Sequence, residues 1–236
     1  MASTEDMQCR QTLGLILWPA VVSLAVTLLR LAGELLKWSP RWFSTETMGI
    51  EPSGVSWLIG ITWLGLPFGV YFAAMLIRAG NGPRSVRKAT LLTLCGLLIM
   101  LVLETPVLGL LRVGFPRILI FVWLTMVLAA ALQYLGWPEL FRTLLLYGLA
   151  ARIPVAIIML LAMAGNWGTH YDYAGTPFRA SMGFVAGYLW LAFFPQLVFW
   201  VAFTVVLGFL GGAITALLTQ RKLPDRVDVI YRTAKR

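Results

Sequence analysis

Apolar residues in this chain fall in unbroken runs of about 20, the length that crosses roughly 30 Å of hydrocarbon as a helix. The runs lack the alternation over about 10 residues that marks a membrane barrel strand. They predict an all-α polytopic integral membrane protein, with six transmembrane helices in one bundle. The expected spans are residues 13–35, 55–77, 89–111, 118–135, 141–164 and 195–219. Loops 38–54 and 165–183 and a basic tail, 221–236, complete the layout.

Breaks in the pattern carry local detail. Pro67 is expected to bend the second span and Pro154 lies within the fifth, because proline has no N–H for the helix ladder. Residues 183–220 form one apolar tract, shorter than the roughly 40 residues two crossings need. Pro195 divides it, so 184–194 reads as an interfacial or kinked segment before the sixth span. A short interfacial helix is plausible in 38–54, where Trp38, Trp42 and Phe43 suit the headgroup layer. Two spans carry small residues at every fourth position: Gly65, Gly69 and Ala73 in one, Gly208, Gly212 and Ala216 in the other. Such faces let backbones approach closely, between helices of one chain or between two copies.

Composition agrees with the pattern. The chain is 59% hydrophobic and 12% charged, against about 25% charged in soluble domains, which excludes a water-soluble globule. The net charge of +9 has a membrane explanation, since basic residues gather beside spans on the cytoplasmic side. No basic stripe with interleaved aromatics stands apart from the spans, so nucleic acid is not an expected partner. Membrane lipids are. With both termini inside, twelve Lys and Arg fall on the cytoplasmic side and five outside; Arg30 and Arg152, within spans, complete the nineteen. That bias puts the termini in the cytoplasm and loop 165–183 outside, in an inner membrane of bacterial type. The acidic leader, Glu5 and Asp6, and the length of the first run argue against a cleaved signal peptide.

Polar groups within the spans are the best functional pointers, because a charge in hydrocarbon needs a partner or a watery cavity. At 1.5 Å per residue, Arg30 lies roughly 25 Å along the first span and Glu34 at its outer boundary. Glu104 lies about 22 Å along the third, and Arg152 roughly 15 Å along the fifth, near the midplane. Above them is the most polar stretch of the second half, 166–179. It holds the single histidine, His170, with Asp172 and the aromatics Trp167, Tyr171 and Tyr173. The expectation is an outward-facing pocket of Arg30, Glu34 and Glu104, floored by Arg152 and roofed by this loop. The competing structural reading is plain: Arg30 and Glu34 are spaced to pair along their own helix, Glu104 can hold helices in register, and the loop aromatics can be interface anchors.

Catalytic signatures are missing. There is no HExxH, GxSxG or P-loop, and Cys9 and Cys95 belong to no metal-binding spacing. No metal and no cofactor is expected. Three functions fit: transport of a small solute, ion or lipid, or membership of a membrane complex; an intramembrane enzyme on a lipid-linked substrate, with His170 and Asp172 as acid and base; and a scaffold docking a partner through the aromatic loop.

Overall fold

The computed structural model describes residues 4–45, 55–104, 115–172 and 181–220, with the backbone alone for 4–11, 103–104 and 115–118. Among the described residues the regular structure is all helical. The helices are α1 (Thr4–Leu35), α2 (Gly65–Arg78), α3 (Val86–Glu104), α4 (Phe115–Tyr134), α5 (Pro138–Gly165) and α6 (Phe184–Gln220). Three stretches are long and apolar enough to cross a membrane: Thr12–Leu35, Pro138–Gly165 and Phe184–Gln220. The shorter apolar helices α2, α3 and α4 pack with them. Leucines line the outside, among them Leu17, Leu24, Leu98, Leu124, Leu161 and Leu218, while Ser23, Thr27, Thr93, Gln133 and Thr204 are buried. Exposed apolar surface on this scale suits a lipid environment rather than water.

The centre of the bundle is the packing of α2 on α6. Gly65 faces the backbone of Thr204, and a methyl group on Gly69 would overlap the backbone of Gly208. Gly212 meets Leu140 and lies near Ala73. The two small-residue faces therefore meet each other within one chain. Without a hydrophobic force between helices in lipid, such close packing is a main source of association. Polar ties join other pairs. Buried Gln133 of α4 donates to the Leu92 carbonyl of α3 at 3.1 Å and accepts from Thr93 at 3.4 Å. Ser23 of α1 and Tyr147 of α5 share a bond of 2.9 Å.

Three elements differ in form from the hydropathy reading. The second apolar run is helical only from Gly65. Before it come one 3₁₀ turn, Ser56–Leu58, and irregular chain through Leu64. Pro67 does not bend this helix from within; it stands in the first turn, where a missing N–H costs nothing. Gly60, Gly65 and Pro67 together explain the late start. At 14 residues the helix is about 21 Å long, so irregular backbone sits at the depth of the bundle, which is tolerated where it is buried in protein or lines a cavity.

The tract after Gly183 is one helix, so 184–194 runs on into the expected span rather than forming a separate interfacial segment. Two π-wound stretches, Leu189–Phe193 and Pro195–Phe199, carry it past the proline. Their i→i+5 bonds include Phe194 N–H to the Leu189 carbonyl and Trp200 N–H to that of Pro195. The wider turn accommodates a residue that lacks an N–H. In the first connection, described as far as residue 45, residues 36–43 form turns rather than a helix. Trp38 and Phe43 meet edge to face at 5.2 Å, and Phe43 packs against Gly33.

Candidate functional site

The loop after α5 is shaped by three residues. Asn166 adopts the left-handed conformation, φ 48°, and caps the helix. Gly168 has φ 70°, a value that favours glycine. Asp172, buried, accepts the Gly168 N–H at 2.6 Å, and its own N–H reaches the Thr169 carbonyl at 3.3 Å. The result is a tight turn that drives His170 and Tyr171 down between α1 and α5.

Glu34, near the end of α1, receives that turn. Its side chain is fully buried. Its Oε2 accepts the His170 N–H at 3.0 Å, His170 Nδ1 contacts Oε1 at 2.6 Å and Oε2 at 2.8 Å, and Arg30 Nε donates to Oε1 at 3.0 Å. A carboxylate paired with arginine only accepts, so Nδ1 carries the imidazole proton and Nε2 is left as an acceptor. Burial, aided by the nearby Arg30 guanidinium, holds the His170 pKa below its ordinary value, against the opposing pull of Glu34 and Asp172. The ring lies 3.8 Å from that of Tyr171, centre to centre. Tyr171 donates its hydroxyl to the Thr27 carbonyl at 3.4 Å. Burial pushes its phenol up, so it stays a donor.

Beneath this turn lies a cavity of about 210 Å³. Its walls come from α1 (Thr27, Arg30), the irregular chain before α2 (Ile59 to Thr62), α5 (Arg152, Val155, Met159), the loop (His170, Tyr171) and α6 (Gln196, Trp200). Arg152 is its most buried charge, 4% exposed. One terminal nitrogen reaches Gln196 Oε1 at 3.3 Å and the other Thr62 Oγ1 at 3.4 Å, and the guanidinium lies 5.0 Å from the centre of a Trp200 ring. Its Nε is buried without a partner. Among the described residues Arg152 makes no ion pair, and no carboxylate lines the cavity.

The sequence-derived pocket is thus assembled in part. Arg30, Arg152, His170 and Tyr171 line one cavity, and Glu34 ties two of them together. Asp172 holds the backbone of the turn and does not line the cavity. Trp167 packs its ring over Gly165 at the end of α5, away from the lining. Glu104 is the last described residue of α3, and its side chain lies outside the described residues, as does Tyr173. Thr62, Gln196 and Trp200 were not singled out from sequence. Gln196 did carry a signal: it is an amide inside an apolar run, directly after Pro195. Thr62 and Trp200 carried none. Among the described residues no group of His, Cys, Asp and Glu could hold a metal ion.

No family model matches the chain, and comparison with curated proteins and with solved structures returned no match.

Proposed function

We propose that the protein is a membrane transporter of a small solute, ion or lipid, with the Arg152 cavity as its binding site and loop 166–172 as its cover. The observation that carries this reading is the cavity itself. It holds a buried cation, and it is walled by the broken approach to α2 and the π-wound part of α6. Helices interrupted beside a polar cavity are the form in which transporters bind cargo near the midplane. π-Turns inside helices are frequent at functional sites. In this reading the termini face the cytoplasm, as the Lys and Arg bias favours, and the loop faces outward from a bacterial inner membrane.

The enzyme reading has a narrower basis. Glu34 orients His170 through Nδ1 and frees Nε2, an arrangement suited to proton transfer. Among the described residues the cavity lining offers it no carboxylic acid, serine or cysteine, only the hydroxyls of Thr27, Thr62 and Tyr171. Transport needs no such partner.

Transport requires that the cavity open to both sides. Thr62→Cys, in a chain with Cys9 and Cys95 replaced by serine, supplies the probe. Reconstituted in vesicles, it should react with a membrane-impermeant maleimide added outside, and equally with one trapped inside. Reaction from one side only would refute transport.

A further inference from the structure

We propose that the cavity binds a phosphate group, carried by a free anion or by a lipid headgroup, with Arg152 as its principal ligand and Arg30 as the second. This names the cargo of the site described above and rests on the transport reading only for its purpose. A buried cation needs compensation, because desolvation is costly unless an opposite charge replaces the lost water. Arg30 has that partner in Glu34, at 3.0 Å. Among the described residues Arg152 has neutral acceptors only, at 3.3 Å from Gln196 and 3.4 Å from Thr62. Its Nε remains a buried donor with no acceptor.

The donors also suit phosphate by their arrangement. A planar carboxylate is satisfied by one guanidinium presenting two parallel N–H bonds. Here the terminal nitrogens of Arg152 are turned aside to Gln196 and Thr62. Donor-bearing side chains line the cavity from separate elements: Arg152 from α5, Arg30 from α1, and Thr62 from the chain before α2. Such a spread matches oxygens that point in several directions. Arg30 Nη1 lies beside Gly60, 3.4 Å from where a methyl group on that residue would stand. At about 210 Å³ the cavity is smaller than the roughly 300–1,000 Å³ that holds drug-sized ligands. It fits a single headgroup or small ion.

The test uses the full chain purified in a neutral detergent, with the thermal midpoint followed against probe concentration. The probes are sodium phosphate, compared with sodium chloride at equal ionic strength, and dihexanoyl phosphatidic acid, compared with dihexanoyl glycerol. A saturable rise with both supports a site for the phosphate group itself. A rise with phosphatidic acid alone supports a lipid headgroup, and one with phosphate alone a soluble anion. In each case Arg152→Gln should weaken binding roughly ten- to a hundredfold, the range of a charge-assisted hydrogen bond. Arg152→Lys, which keeps the charge and loses Nε, should fall between. Should Arg152→Gln not be recovered folded, Arg152→Lys carries the test alone. Arg84→Gln, remote from the cavity lining, should change nothing.

No rise with either probe overturns the proposal, as does a rise that both Arg152 variants retain in full. Binding that emerges only in Glu104→Gln also overturns it, because Arg152 would then be neutralised by the chain's own carboxylate. The two readings fail separately. One-sided labelling of Thr62→Cys with phosphate binding intact refutes transport and leaves the site standing. Two-sided labelling without binding refutes the ligand and leaves transport.

Discussion

Glu34 carries most of the hydrogen bonds that dock the loop, and its removal has a calculable effect. Three hydrogen bonds converge on its carboxylate: two from His170, at 3.0 and 2.8 Å, and one from Arg30, at 3.0 Å. All involve an ionised acceptor, and the carboxylate is fully buried while the Arg30 and His170 side chains are 16% and 21% exposed. Glu34→Ala strips the loop of its anchor and leaves Arg30 without its counter-charge. Breaking a buried pair from one side costs about 3–5 kcal/mol. The partial exposure of both partners argues for the lower end. About 3 kcal/mol corresponds to a shift of roughly a hundredfold in the equilibrium between docked and open loop. Amide hydrogen exchange reads that equilibrium directly, because the His170 N–H is one of the three bonds. Its exchange, and that of the Gly168 N–H, should accelerate by about the same factor of a hundred. Amides in the α2–α6 contact should keep their rates. Glu34→Gln, which retains an acceptor oxygen but no charge, should give an intermediate value. Exchange at His170 unchanged in Glu34→Ala would show that the loop is held by something else, and the account of the site would fall with it.

Two further outcomes follow from the same geometry. Burial and Arg30 depress the His170 pKa, so protonation favours the open loop; the docked state keeps its full stability above about pH 6.5 and loses it as pH falls through the lower folded value. The thermal midpoint should drop below that pH more steeply in the wild type than in His170→Gln, and parallel curves would refute the linkage. At the helix contact, Gly69→Ala puts a methyl group into the Gly208 backbone. Overpacking of this kind costs roughly 1–3 kcal/mol, or about 2–4 °C per kcal/mol in a chain of this size. Gly82→Ala, whose new methyl would meet only Ile77 at 3.6 Å, should melt like the wild type; equal melting of Gly69→Ala would refute the close approach.

Hydropathy located the helices well where a run was flanked by turns. Residues 141–164 were expected in one span, and the helix is Pro138–Gly165; residues 13–35 correspond to Thr12–Leu35. It failed at 55–64, because Ile59, Ile61, Trp63 and Leu64 are equally apolar in helix or irregular chain. Gly60, Gly65 and Pro67 were the local hints of the difference. Charges inside spans led to Arg30, Glu34 and Arg152, since ionised groups in hydrocarbon are few and expensive. The pairing of Glu34 with His170 was not legible, because the two lie 136 residues apart and nothing local brings them together. Asp172 looked like a chemical partner for His170 from its position alone. Its geometry shows a shorter-range task, accepting from Gly168 four residues back.

The winding of α6 changes how its faces must be counted. After Pro195–Phe199 one row of buried positions, Val201, Val205, Phe209, Ala213 and Ala216, recurs at intervals of three or four, within a broader buried face. From Gln196 to Val201 the interval is five. On an ordinary helical wheel, at about 100° per residue, those two residues would point well apart, yet both are buried. A mutational scan of this helix plotted on one wheel would therefore scatter its sensitive positions around the circle. Plotted as two wheels joined at Pro195–Phe199, the same data should give one continuous sensitive face, with the cavity at the joint.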